Sequence, residues 1–174
     1  IAVFPTAGIS YSILSDLLVS GSVSRGYSSL ALEDVLNADG MINPDIVPET
    51  GWSEELSLKY FNDHGAFAKL TFFTMNIQNT VLTRRIMDND KEKLNGGSSI
   101  HRGMEFEYKW ISASEKLSLD GAYTYSHFRF DEFVEGGVDH SGNQLPGTPR
   151  HHVYTRFNLS PWRKWDFHID YHLI

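Results

Sequence analysis

Cysteine is absent from all 174 residues, which rules out a disulfide scaffold and thiolate metal sites but says little about compartment. No unbroken apolar run of about 18 residues occurs, so no helix of this chain can cross a bilayer. Basic residues number 15 against 22 acids, for a net charge of −7. They form no stripe, which argues against a nucleic-acid partner. The opening IAVFPTAGIS lacks the charged head and apolar core of a secretory leader. Both ends of the chain fall inside alternating runs, so the expectation is an interior piece of a longer protein.

What the chain does have is alternation. Trp165, Phe167, Ile169, Tyr171 and Leu173 interleave with Asp166, His168, Asp170 and His172. Successive side chains of a strand point to opposite faces, so this segment has one apolar and one polar face. The same pattern predicts eight strands, over residues 3–13, 17–25, 51–61, 66–83, 98–110, 116–130, 152–159 and 165–174. The connections alternate strictly between short and long. Residues 14–16, 62–65, 111–115 and 160–164 are short turns, and Asn62-Asp63-His64-Gly65 supplies the positive-φ positions a tight hairpin needs. Residues 26–50, 84–97 and 131–149 are long polar loops. A soluble sandwich has no reason to keep that order. An up-and-down barrel in an outer membrane does, with tight turns inside and long loops outside. The strands agree in length, since several reach the nine to eleven residues, roughly, that spanning requires.

Charge assigns the faces. A basic side chain facing lipid costs about 2–4 kcal/mol at mid-bilayer, and an acid somewhat less. Met104, Phe106 and Tyr108 alternate with Glu105, Glu107 and Lys109, so Met104, Phe106, Tyr108, Phe167, Ile169 and Tyr171 are expected to face lipid. In the fourth strand Lys69 places Phe67 and Phe73 on the inward side. Tyr60, Phe61, Trp110, Trp162 and Trp165 lie beside the short turns, and Tyr27, Trp52, Phe128 and Phe130 near the long loops, as two aromatic girdles would.

Longer words narrow the family. VSRGYSSLALEDVLN followed by NPDIVPETGWSEELSLKY resembles the TonB-dependent outer-membrane receptors, in which SRGYRAPS-EEL closes one strand and NP-L-PE-S-S-ELGLKY opens the next. Ser24-Arg25-Gly26-Tyr27, Leu32-Glu33-Asp34-Val35, Asn43-Pro44-Asp45 and Pro48-Glu49-Thr50 match in order. FFTMNIQNTV, NGGSSIHRGMEFEYKW, LSLDGAYTYSHFRF and GNQLPGTPRHHVYTRF are similar to further family segments, so the likeness covers nearly the whole chain. The resemblance implies an all-β fold: about eight up-and-down antiparallel strands of a transmembrane barrel of roughly 22 strands. Residues 1–174 would be part of the barrel domain, with the plug, TonB box and C-terminal strands missing. It implies a Gram-negative outer-membrane receptor that imports a scarce ligand, most often a ferric siderophore, driven by the TonB–ExbB–ExbD system through the missing plug. Membrane lipid is the other partner implied.

Chemistry-bearing residues are sparse. His168 and His172 share a face but stand about 13 Å apart at 3.3 Å per residue, too far to chelate together. His151 and His152 point to opposite faces. No metal site, cofactor or catalytic residue is expected, since no nucleophile elbow or phosphate-binding glycine loop appears. By position, Tyr27, Arg84, Arg85, His101, Arg102, Phe128 and His140 are the candidates to meet a ligand at the outer mouth, where arginine pairs with anionic oxygens and aromatics stack. Gly103 and Gly121 are expected to relieve crowding on the wall. Two alternatives remain open from sequence: a small self-contained barrel with an adhesive or structural role, and a soluble glycan-binding β-sandwich.

Overall fold

The computed structural model describes residues 3–31, 35–36, 40–85, 91–162 and 164–174, with backbone alone at 83–85 and 91–92. Leu32-Glu33-Asp34 of the matched words lie outside the described residues. Eight long strands form one open antiparallel meander. They are β1 (Thr6–Leu14), β2 (Leu17–Tyr27), β3 (Thr50–Phe61), β4 (Phe67–Gln78), β7 (Ser98–Ile111), β8 (Leu117–Glu132), β11 (His151–Trp162) and β12 (Trp165–Leu173). Their order in the sheet is β1-β2-β3-β4-β7-β8-β11-β12. Two small hairpins stand apart from it, β5 (Val81–Arg85) with β6 (Lys91–Asn95), and β9 (Val134–Glu135) with β10 (Val138–Asp139). Both lie in connections at the same end of the sheet.

Pairing partners carry their side chains on the same face, so register turns eight separate alternations into two continuous surfaces. One row of direct partners reads Tyr11, Val19, Leu58, Leu70, Phe106, Tyr123, Val153 and Leu173, apolar or aromatic on all eight strands. A neighbouring row on the other face reads Ser10, Ser20, Ser57, Thr71, Glu105, Thr124 and His152, polar on all seven strands it crosses. The polar face is knitted by its own contacts. Ser57 and Thr71 share a buried hydroxyl hydrogen bond at 2.9 Å, and Arg156 donates twice to Asp170 at 2.7 and 2.9 Å. Lys69 stands 3.6 Å from Glu107, on the face the sequence assigned to it.

The apolar surface is uncovered. Ile9 is 76% exposed, Phe167 47%, Ile169 67% and Tyr171 55%, and no second layer packs on them among the described residues. That removes the β-sandwich, whose apolar faces would be buried against each other. The self-contained small barrel goes as well, because β1 and β12 sit at opposite ends of the sheet order and do not pair. The hydrogen-bond rows run obliquely to the line of turns. The apolar row crosses β3 at Leu58, three residues from its end at Phe61, and β12 at Leu173, eight residues from its start at Trp165. Such stagger is what tilted strands in a barrel wall require.

Several boundaries differ from the sequence reading, each for a local reason. The fourth strand stops at Gln78 rather than at 83, because Asn79 turns to φ 59° and the chain leaves the sheet to form β5. The segment 84–97, expected to be loop, contains β6. Strand β11 runs on through the expected turn to Trp162, with a register irregularity between Leu159 and Trp162 that accommodates Pro161, since a bulge does not need its missing donor. The girdle also thins. Tyr60 and Trp110 lie on the apolar face, but Phe61 and Phe128 lie on the polar one, and Phe130 is buried among loops.

Gly103 and Gly121 each face an aromatic partner across the sheet, Phe73 and Tyr108 respectively. A Cβ on Gly103 would come 2.6 Å from the Phe73 ring, and one on Gly121 2.7 Å from the Tyr108 hydroxyl. The rings lie over bare backbone, a pairing that compensates a strand glycine. Gly103→Ala is therefore expected to destabilise the folded protein by about 1–3 kcal/mol, read as the midpoint of thermal β-sheet loss. Gly26→Ala, with nothing within 4 Å of the new methyl, should leave that midpoint in place.

Candidate functional site

Long connections from three strand pairs meet at one end of the sheet, and their backbone polar groups are tied to one another. Asn95, at the end of β6, accepts from the Val47 amide at 2.9 Å and donates to the Val47 and Asn79 carbonyls at 3.0 and 2.7 Å. Glu49 accepts from the Val81 amide at 2.7 Å. Phe130, Phe133 and Leu145 form a buried cluster, and Leu82 and Leu94 of the β5–β6 hairpin pack against it. Ser141, just past β10, closes the base of the β9–β10 hairpin. Its hydroxyl accepts from the Phe133 amide, and its hydrogen bonds to Asp139 hold that carboxyl below the usual aspartate range. The loops thus have a core of their own, while the sheet beneath them has none on its apolar face.

Just below these loops, one row of partners on the polar face reads Ser24, Ser53, Met75, His101 and Phe128. Over β2, β3 and β4 it borders a cavity of about 220 Å³ lined by Ser24, Ser53, Glu49, Met75 and Ile77. Gly51 also lines this space, and its bare backbone fits closely against β4, where a Cβ would stand 2.6 Å from the Asn76 carbonyl. At the other end of the row the His101 ring stacks on Phe128 with centroids 4.3 Å apart, and Phe73 meets Phe128 edge-on at 6.3 Å. The imidazole is oriented by Ser99, whose hydroxyl lies 3.1 Å from Nε2 and 2.8 Å from the Thr80 hydroxyl. The result is a shallow, half-apolar surface with an ordered imidazole, a thioether, hydroxyls and one carboxylate. It can stack on a planar group and hydrogen-bond its edge.

The seven residues singled out from sequence separate here. His101 and Phe128 come together in that row. Tyr27, the last residue of β2, borders the cavity and its ring stacks on Phe4 at 4.5 Å, but in register with Thr50 it belongs to the face opposite Ser24 and Ser53, because neighbours in a strand point to opposite sides. Arg102 does not join them. As the neighbour of His101 in a strand it points to the opposite face, in register with Thr74 and His127. His140 sits in the outer loop, its ring 5.4 Å from that of Phe133. Arg84 and Arg85 belong by backbone to β5, outside the main sheet, and their side chains lie outside the described residues. Sequence reading missed Ser24, Ser53 and Met75. Counting back from the Phe61↔Phe67 pair would have set Ser53 opposite Met75. No such count reaches across the long β4–β7 connection to join Met75 to His101. Among the described residues no cluster of three metal-ligating side chains occurs.

An open meander of long tilted strands, apolar on one face and polar on the other, with tight turns at one end and folded loops at the other, is the wall of an up-and-down membrane β-barrel. The chain belongs to the TonB dependent receptor-like, beta-barrel family, whose model matches residues 2–172. Solved structures agree on the fold. The siderophore receptor PirA from Pseudomonas aeruginosa superposes with a TM-score of 0.71 at 16% identity, over 96% of this chain and 29% of that one. The ferric yersiniabactin uptake receptor FyuA from Yersinia pestis gives 0.62 at 20% identity, over 88% and 22%. A variant of the ferric enterobactin receptor PfeA from Pseudomonas aeruginosa gives 0.69 at 16% identity, over 97% and 27%. The chain therefore spans under a third of each of these proteins. No curated protein sequence matches it.

Asn95 holds two connections with one side chain. Asn95→Ala is expected to lower stability by about 1–3 kcal/mol and to speed limited proteolysis between residues 40 and 48 severalfold. Unchanged cleavage there would show that the loops are held by other contacts.

Proposed function

We propose that this chain is part of the barrel wall of a Gram-negative outer-membrane receptor that takes up a scarce ligand, with a ferric siderophore as the best-supported class. The observation that carries the reading is the pair of neighbouring rows, one apolar across eight strands and the next polar across seven. With hydrocarbon on one side and water or a plug on the other, each side chain meets a medium that suits it. Met104, Phe106, Tyr108, Phe167, Ile169 and Tyr171 then face lipid. The Ser24–Phe128 row and its cavity face the lumen beneath the outer loops, where His101 and Phe128 meet the ligand. Siderophore receptors among the similar folds favour that cargo. The family's transport cycle draws on TonB–ExbB–ExbD acting through a plug domain, which this reading places in a part of the protein outside residues 1–174. The role is transport, not catalysis.

Two measurements test it in the full-length receptor. Ile169→Arg puts a cation on the apolar face at a cost of about 2–4 kcal/mol near mid-bilayer, and is expected to cut the amount assembled in the outer membrane severalfold. His168→Asn, on the other face, should assemble normally. Equal assembly of both would contradict the assigned facing. For the ligand, uptake of a panel of ferric siderophores by a strain carrying only this receptor should identify at least one substrate. The double variant His101→Ala/Phe128→Ala should reduce its uptake about tenfold while leaving receptor abundance unchanged, the loss expected from removing one stacking and one hydrogen-bonding contact. A receptor that takes up none of the panel, or one indifferent to the double variant, would count against this site.

A further inference from the structure

The apolar face changes character abruptly toward the loop end of β4, β7 and β8. The row of Phe72, Met104 and Tyr125 is followed by Thr74, Arg102 and His127, and then by Asn76, Ile100 and Arg129. Two surface grooves map onto this boundary. The first, of about 380 Å³, is lined by Phe72, Met104 and Tyr125 together with Arg102 and His127. The second, of about 310 Å³, lies beyond it, lined by Arg102, His127, Arg129, Ile100 and Asp131. Arg102 and His127 belong to both, so the grooves form one track that is apolar at one end and cationic at the other. A third guanidinium flanks the cationic end, where Arg150 donates to the Gln144 side chain at 3.2 Å and Gln144 bridges to Arg129.

Neither Arg102 nor Arg129 makes a hydrogen bond or ion pair with a carboxylate among the described residues. The acids nearby are Asp131 on the rim of the second groove and Glu54, which reaches the Arg102 side through Thr74. Three arginines against two carboxylates leave the track positive. Guanidinium is weakly hydrated, and its planar fork matches the oxygens of a phosphate. Two unpaired guanidiniums at the edge of an apolar surface thus call for an anion that arrives with its own hydrocarbon. Around the track, Tyr123 holds His151 through its hydroxyl at 3.0 Å, and the Tyr125 ring lies 5.4 Å from that of His151. Such amphipathic rings suit the head-group level of a membrane.

We propose that this track is a binding site for a phosphate-bearing membrane lipid. An acyl chain lies along Phe72, Met104 and Tyr125, and the phosphate is clamped between Arg102 and Arg129 with His127 beside it. The site rests on the lipid-facing orientation proposed above. It also gives Arg102 a role on the outer wall of the barrel, separate from the ligand row in the lumen.

Native mass spectrometry of the full-length receptor in detergent tests the proposal, with diphosphoryl lipid A, its dephosphorylated form and inorganic phosphate as probes. The wild type should retain diphosphoryl lipid A about tenfold more tightly than the dephosphorylated form, the loss of one charge-assisted contact being worth at least that much. Arg102→Ser/Arg129→Ser should abolish the preference, while Lys69→Ser on the polar face keeps it. A wild type that binds both lipids equally, or a double variant that keeps the preference, would overturn the site. Displacement of the lipid by millimolar inorganic phosphate would also overturn it, as the mark of a free-anion site. The two readings fail separately. Normal assembly of Ile169→Arg removes the membrane orientation itself, whereas defective assembly of Ile169→Arg with no arginine-dependent lipid preference removes this site alone.

Discussion

Hydrocarbon offers no partner to a backbone amide, and this constraint organises the whole molecule. A chain that enters a bilayer as strands must pair every N–H and C=O with a neighbouring strand, which only a closed barrel achieves. Long strands joined as a meander are the local form of that solution. The eight-strand sheet pairs each strand with its sequence neighbours in the wall, and among the described residues leaves only the outer edges of β1 and β12 unpaired. Those edges are where the rest of a barrel would continue.

The absence of a hydrophobic core in the sheet follows from the same source. A soluble domain of this size buries its large apolar side chains, whereas here Ile9, Phe72 and Ile169 remain at least half exposed. Burial is instead concentrated at the loop end, around Phe130, Phe133 and Leu145, where loops stand in water and need a conventional core. The molecule therefore uses two solvents. In the orientation proposed, its wall is stabilised by backbone pairing and contact with hydrocarbon, its loops by apolar packing and by Asn95 and Glu49 hydrogen bonds.

The repeating part of this design is legible in the sequence, because period-two alternation, short turns and strand length are all local. Asn62 shows how local: its side chain accepts from the His64 and Ala66 amides, and Gly65 takes φ +82°, as the turn signal at 62–65 requires. What depends on pairing across a long loop is not legible. The alternation of Phe73, Met75 and Ile77 breaks at Gln78-Asn79-Thr80, which could have marked the end of the wall strand, but nothing local says that the chain beyond it takes β6 as its new partner. Arg102 shows the same limit from another side. Adjacent to His101 in sequence, it lies on the opposite face; its partner His127 could be counted from the short β7–β8 turn, but Thr74, across the long β4–β7 connection, could not. The His101–Phe128 pair could be counted from the short β7–β8 turn, but its extension to Met75 could not.

The central claim is that neighbouring side chains of one strand contact different media. Residues 1–174 contain no cysteine, so the direct measurement places single cysteines one at a time from 165 to 173 in the full-length protein, with any cysteine elsewhere replaced, labels them with a fluorophore and quenches them either by spin-labelled lipid or by a water-soluble quencher. The account predicts lipid quenching at 167, 169 and 171 and aqueous quenching at 166, 168 and 170. A profile without that two-residue period, or one with its phase reversed, would contradict it.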